Sequence, residues 1–237
     1  MSTRLGLGTY RCADVCQAAA MAASQGADWV DTAPNYESGQ AERSLATVLA
    51  LYPDLHVSTK VGFVPDSAKR LGVQAGALSG EGAERGHCLA PAYVAWQVAR
   101  SKRRLGRAPD LVFLHNPEHH CADKDIADRI WAAFLALEDA CSNGTVSAYG
   151  VATWRGFSSG LFDVATLPEL ASKASARSTT FGPFNSPSHW SIWHPSRTHS
   201  TATVSWSTRS RRSWRSSPLP RCTAARFPAW LLGSCPN

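Results

Sequence analysis

No stretch of about 18 apolar residues runs anywhere in this 237-residue chain, so the sequence contains no membrane span of the helical kind. The opening Met1-Ser2-Thr3-Arg4 leads straight into Leu5-Gly6-Leu7-Gly8, without the apolar centre of a secretory leader. Seven cysteines occur with no Cys-x-x-Cys pair, which argues against both a disulfide framework and a zinc ribbon. Reduced thiols and the missing leader set the expectation of a cytoplasmic protein. Acidic residues are missing altogether after Glu169. Residues 1–170 hold all 18 acids against 15 Lys and Arg, whereas residues 171–237 hold nine Lys and Arg and 15 serines. Five of the nine tryptophans also fall in that second stretch. One domain rarely changes chemistry so abruptly, so the chain divides into residues 1–174 and a Ser/Arg/Trp/Pro-rich tail over 175–237.

What the first part does contain is an alternation of short β-like runs with longer helical ones, the pattern of an α/β fold. Strands are expected at Leu5–Tyr10, Asp28–Thr32, Leu55–Val61, Asp110–His115 and Val146–Thr153. Helices are expected at Ala13–Gln25, Gln40–Leu51, Pro91–Leu105 and Ile126–Cys141, with another beginning at Leu161. The Gly-rich stretch Gly62–Gly86 reads as an extended surface loop. Five βα units make up the front of a (β/α)8 TIM barrel, which needs about 250 residues when complete. The expected fold is therefore an incomplete barrel followed by an irregular tail; a doubly wound open sheet is the competing architecture.

Four side chains stand where these strands end: Asp31, Tyr36 in the loop just behind it, Lys60 and His115. Parallel strands share one polarity, so all four converge at the C-terminal mouth. A lysine beside a phenol favours the phenolate and lowers a pKa that starts near about 10. An aspartate would keep the lysine charged and oriented, and a neutral histidine could donate to a substrate oxygen. Those are the parts for protonating a carbonyl oxygen while hydride arrives from elsewhere. Singly, each residue reads more simply as a cap or a loop contact; the set of four is what carries the reading.

The stretches Leu5–Arg11 (LGLGTYR), Trp29–Tyr36 (WVDTAPNY), Gly39–Leu45 (GQAERSL), Ser58–Gly62 (STKVG) and Asp110–Glu118 (DLVFLHNPE) together resemble the aldo-keto reductase family, in its order and spacing over roughly residues 4–174. The resemblance implies a metal-free (β/α)8 barrel that reduces aldehydes or ketones with NADPH, or oxidises the corresponding small-molecule alcohols. NADPH/NADP over NAD follows from the resemblance alone. It further implies Tyr36 as general acid, Lys60 as the group that lowers its pKa, Asp31 as the partner of Lys60 and His115 as the residue that orients the carbonyl. Gly8, Thr9 and Tyr10 match the segment along the nicotinamide end of the cofactor, which Asp31 also borders. In place of the family's Gly-Val-Ser-Asn run the fifth strand reads Gly150-Val151-Ala152-Thr153-Trp154, leaving Thr153 as the side chain for the carboxamide.

After residue 175 the resemblance stops, and the family's residues for the 2′-phosphate of NADP are not recognisable there. Ser175–Asn237 shows no helical period; Thr201–Trp206 is its nearest approach to strand alternation, and Phe184–Pro195 predicts neither a helix nor a central strand. We read the tail as a shifted reading frame, and expect the chain to bind NADPH weakly or not at all. The alternative from another class is a non-catalytic truncated barrel. A nucleic-acid-binding reading, carried by the basic, aromatic-interleaved segment Thr208–Arg215, is weaker still. Weaker signals are the Gly6-x-Gly8 start of a dinucleotide fingerprint, whose third glycine is Arg11, and the run His115–Cys121, which lacks the spacing of a metal site. Cys12 and Cys16 read as small packing residues.

Overall fold

A computed structural model describes residues 6–178, 190–195 and 202–205. Strand and helix alternate as expected: β1 (Gly6–Gly8), α1 (Val15–Ser24), β2 (Trp29–Asp31), α2 (Ala41–Leu51), β3 (His56–Val61), α3 (Asp66–Gln74), α4 (Gly80–Arg85), α5 (Pro91–Leu105), β4 (Leu111–His115), α6 (Ile126–Ser142), β5 (Ala148–Ala152) and α7 (Thr166–Ser178). β1 to β5 pair in chain order and all in parallel. This is the partial barrel anticipated from the sequence.

Local chemistry explains the helix limits. Asp14 caps α1, its carboxylate accepting the Gln17 N–H at 2.8 Å. α5 starts on Pro91, whose missing N–H has no helical partner to lose, and stops at Gly106, which takes the left-handed conformation at φ 75°. Lys102, Arg103 and Arg104 fill its last turn, where positive charge suits the helix dipole. Ile126, Ile130, Phe134 and Leu137 recur at three- and four-residue spacing along α6, and all four are buried.

The expected loop over Gly62–Gly86 is not one loop. It contains α3 and α4, joined by Gly76 with φ 66°. Glycine density suggested a loop, but Gly72 and Gly82 face Leu78 at distances that leave no space for a Cβ without displacement, so they serve helix packing.

Within the tail, two short segments pair as strands. β6 (Trp190–Pro195) pairs in parallel with β5, and β7 (Ala202–Ser205) pairs antiparallel with β6. Phe184–Pro195 was not expected to yield a central strand, yet β6 lies between two partners. The open edge of β5 supplies a backbone template that intrinsic propensity does not capture. Pro195 sits at the last position of β6, where a missing N–H is tolerated. The six residues between β6 and β7 are too few for a parallel crossover, which needs a dozen or more, so the hairpin must be antiparallel. β7 therefore does not continue the winding of a (β/α)8 barrel.

Apolar packing falls into layers. One cluster joins β3, β4 and β5 to α5, α6 and α7, and a second joins β2 and β3 to α1 and α2. A third and smaller group, Leu111, Phe113 and Ala152 with Trp29 and Ala148 against them, lies on the opposite face of the sheet. Leu111 and Phe113 are each 1% exposed, so these two inner side chains are buried.

Candidate active site

Period-two alternation sends one side chain of each pair inward. On β4, Val112 and Leu114 pack toward the helices while Leu111, Phe113 and His115 share the inner face. On β3, Thr59 points outward to the Glu42 carboxylate of α2 at 2.8 Å, which leaves Ser58 and Lys60 facing inward. On β2, Trp29 and Asp31 lie on the side away from buried Val30. The parallel register then sets Gly8 beside Asp31, Asp31 beside Ser58 and Lys60 beside Phe113. The inner side chains at the C-terminal ends of four adjacent strands are thereby delivered to one mouth.

Lys60 is the centre of the arrangement and is 1% exposed. Its ammonium donates to Asp31 Oδ2 at 2.5 Å and to the Thr32 carbonyl at 2.8 Å. It also stands 4.9 Å from the centre of the Tyr36 ring. The other oxygen of Asp31 accepts from Ser58 Oγ at 2.7 Å, and Ser58 accepts from the Trp29 indole at 3.1 Å. Neither Trp29 nor Ser58 was singled out in the sequence. Each is two residues before a partner on the same strand, so period two was the signal that could have found them.

Tyr36 is buried, with the His115 ring edge-on to it at 6.1 Å between centroids and the Tyr10 ring at 5.3 Å. The turn behind it is unusual. Glu37 and Ser38 both hold left-handed backbone at φ 50° and 51°, which non-glycine residues seldom adopt, and Gly39 follows at φ 87°. The Glu37 carboxylate, accepting from Ser44 Oγ at 2.6 Å and from the Val15 N–H at 3.4 Å, braces that turn against α2 and α1. Asp31, Tyr36, Lys60 and His115 are thus brought together.

Their electrostatics differ in one respect from the expected pattern. Burial raises the Tyr36 phenol above its ordinary value; Lys60 acts in the lowering direction but does not prevail, and Asp31 adds to the rise. For Lys60, burial acts against the charge, yet Asp31 and Tyr36 outweigh it and the ammonium is held above its ordinary value. His115 is well below the ordinary imidazole range, first through burial and then through the Lys60 charge, so it is the neutral ring expected. Its Nδ1 has no hydrogen-bond partner among the described residues.

The residues matched to the cofactor divide. Gly8 is open, and a Cβ there would meet nothing within 4 Å. Tyr10 is 54% exposed beside it. Thr9 is buried, its hydroxyl donating to the Asp31 carbonyl at 3.0 Å and lying 3.0 Å from Thr32 Oγ1, which fixes the end of β1 to β2. Thr153 is fully buried; its hydroxyl donates to Glu118 at 2.7 Å and accepts the Gly156 N–H at 2.8 Å. That leaves Thr153 with no proton to give a ligand. Asn116, itself left-handed at φ 49°, accepts the Trp154 N–H at 3.1 Å, so the loops after β4 and β5 are tied together. No metal-binding cluster of His, Cys, Asp or Glu occurs among the described residues. Nor is any described helix long and apolar enough to cross a membrane.

The sequence pattern of the Aldo/keto reductase family matches residues 3–162, which include every strand end just described. The chain belongs to the aldo/keto reductase family. A D-threo-aldose 1-dehydrogenase from Pseudomonas sp is 32% identical over 134 residues, which are 53% of this chain and 40% of that relative. Among solved structures, the holo form of the aldo-keto reductase AKR11C1 from Bacillus halodurans aligns with a TM-score of 0.48 at 23% identity, over 63% of this chain and 46% of that one. The glycerol dehydrogenase AKR11B4 from Gluconobacter oxydans aligns with a TM-score of 0.47 at 22% identity, over 71% and 47%. This aldo/keto reductase chain thus spans about half, or less, of the length of the relatives it matches.

Proposed function

We propose that residues 1–174 are the catalytic part of an oxidoreductase that moves hydride between NADPH and a small aldehyde or ketone, or in reverse from an alcohol. The observation that carries this reading is the buried Lys60–Asp31 ion pair set against Tyr36, with neutral His115 across the mouth. A nicotinamide cofactor, when bound, supplies the hydride. Gly8 and Tyr10 would form its open shelf, with Asp31 at the border. NADP rather than NAD, and a cytoplasmic setting for thiols such as Cys12 and Cys16, belong to the same proposal.

Each side chain then has a task. Tyr36 is protonated at neutral pH, and burial raises its phenol further, so it holds the proton that the carbonyl oxygen needs as hydride reaches carbon. The Lys60 charge stabilises the phenolate left behind, and Asp31 keeps Lys60 protonated and aimed. His115 donates a hydrogen bond to the same oxygen through its neutral ring. In alcohol oxidation the proton returns to Tyr36 along the same path. The Pseudomonas relative's name makes polyhydroxy aldehydes and their oxidation the first substrates to try.

Two features bear on a second reading. β7 runs antiparallel to β6, and residues 175–237 carry no acid, which suits a frame shift near residue 175 and a barrel remnant without turnover. Titrating NADPH into the full chain while following tryptophan fluorescence, then following NADPH oxidation with a panel of aldoses and ketones, separates the two. The reductase reading expects saturable quenching and turnover. It also expects Tyr36→Phe to lower kcat by roughly 100-fold or more while cofactor binding persists. Absence of binding and turnover from a folded chain selects the remnant, and the nucleotide sequence across codons 165–190 then tests the frame shift.

A further inference from the structure

The carbonyl-orienting role of His115, and with it the proposed reductase reading, depends on the height at which β4 ends, and a second histidine holds that end. His87 lies between α4 and α5 and is 3% exposed. Its Nε2 is 2.8 Å from the His115 carbonyl oxygen, and its Nδ1 is 2.8 Å from an Arg129 guanidinium nitrogen of α6. An arginine can only donate, so Nδ1 must accept, and the ring proton belongs on Nε2, where it is donated to the His115 carbonyl. Arg129 is fixed in turn by donating to the His119 carbonyl at 2.9 Å.

Packing enforces the same geometry. The Phe63 ring lies edge-on to both imidazoles, 5.0 Å from His87 and 4.8 Å from His115. Gly62, at φ 141°, leaves the space the contact needs: a Cβ there would stand 2.7 Å from His87 Nε2 and 3.0 Å from the His115 carbonyl oxygen. We propose that His87, held in one tautomer by Arg129, is a positioning residue that fixes the end of β4 and so the aim of the His115 ring.

A neutral histidine meets both demands at once, since it donates at one nitrogen and accepts at the other. A protonated one would turn a donor toward Arg129. Burial, then the neighbouring Arg129 of α6 and His119 and His120 of the loop after β4, push His87 down to about 3, while the hydrogen bond to the His115 carbonyl acts the other way. The arrangement therefore persists across the working pH range.

The test is a long-range 1H–15N spectrum of the full chain carrying 15N-histidine. The expected result is His87 with its proton on Nε2 and no titration between about pH 5 and 8, the range in which an ordinary histidine changes charge. His87→Leu, which can neither donate nor accept, should shift and broaden the His115 ring signals. His87→Gln, which retains both an N–H and a carbonyl, should restore them. With turnover present, His87→Leu should lower kcat by up to about 100-fold at unchanged cofactor affinity, and His87→Gln should recover most of it. A proton on Nδ1, titration of His87 near its ordinary value, or His115 signals indifferent to His87→Leu overturns the inference. Should His87→Leu fail to fold, the wild-type spectrum still decides the tautomer. A chain with the expected His87 signature but no cofactor binding sinks the reductase reading alone, whereas wild-type turnover in His87→Leu sinks the positioning role alone.

Discussion

Lys60 and Asp31 meet across adjacent strands at 2.5 Å, the lysine side chain 1% exposed and the aspartate side chain 21% exposed. The pair is asymmetric: the cation is sealed inside the sheet's inner face, and the anion opens to the mouth. Such a lysine cannot hydrate when its partner is removed. Asp31→Asn keeps the acceptor for Ser58 but leaves a buried charge uncompensated, and should lower stability by about 3–5 kcal/mol. Asp31→Asn with Lys60→Met should regain much of that loss. Urea unfolding of the two variants measures it, and equal losses in both would refute the argument.

The same pair predicts an alkaline limit. Lys60 is held above its ordinary value because Asp31 and Tyr36 outweigh burial, and Tyr36 is raised by burial itself. A group whose folded pKa is raised contributes fully below its unfolded pKa, and its contribution fades as pH climbs toward the folded value. The urea midpoint should therefore fall above about pH 10, where free lysine and tyrosine titrate. The variant with both Asp31→Asn and Lys60→Met should lack the lysine part of that decline.

Glu42 is the reverse case. It is fully buried in α2, accepts from Thr59 at 2.8 Å, and has Arg104 Nε at 3.3 Å without hydrogen-bond alignment. Burial raises its carboxyl above the ordinary value, so the charge costs stability as pH rises through the folded value. Glu42→Gln keeps the Thr59 contact and should be at least as stable as the parent at pH 7, with no advantage once the medium is acid enough to protonate the free carboxyl, below about pH 4. Thermal melts at both pH values decide this. A large loss at pH 7 would show the Arg104 pair to be net favourable.

Gly62→Ala should cost about 1–3 kcal/mol, since it places a Cβ against His87 and demands a backbone conformation that alanine resists. The melting temperature is the readout, and an unchanged value would mean that β3 and His87 can move apart.

Ile192→Pro removes a backbone donor from β6, which pairs with Val151 on one side and Ser205 on the other. Amide exchange at Val151 and Ala152 should quicken by about tenfold or more, on the basis of about 1 kcal/mol per lost bond, while Val112 and Phe113 keep their protection. Unaltered exchange at β5 would mean that β6 adds nothing to the sheet.

Strand order and four of the inner side chains were legible in the linear pattern. Short apolar runs ending in Asp31, Lys60 and His115 require only that the strands be parallel for their ends to converge, and that polarity follows from the intervening helices. Thr153 was legible as a residue but not as a contact: its hydroxyl is taken up by Glu118, 35 residues away in the chain. The net rise of the Tyr36 phenol was likewise hidden. Proximity to a lysine is a local inference, whereas burial depends on every element packed over the ring.

By itself the sequence determined the alternation of elements, the break in composition after Glu169 and the four side chains at the mouth. Each depends on the residue or on neighbours within a turn or a strand, where backbone conformation and period act directly. Only the tertiary structure decided that His87 grips the end of β4, that Gly62 must lack a side chain, and that Trp190–Pro195 completes an edge left by β5. Those contacts join residues roughly 25 to 53 positions apart, and they arise because packing, not propensity, selects which distant groups meet.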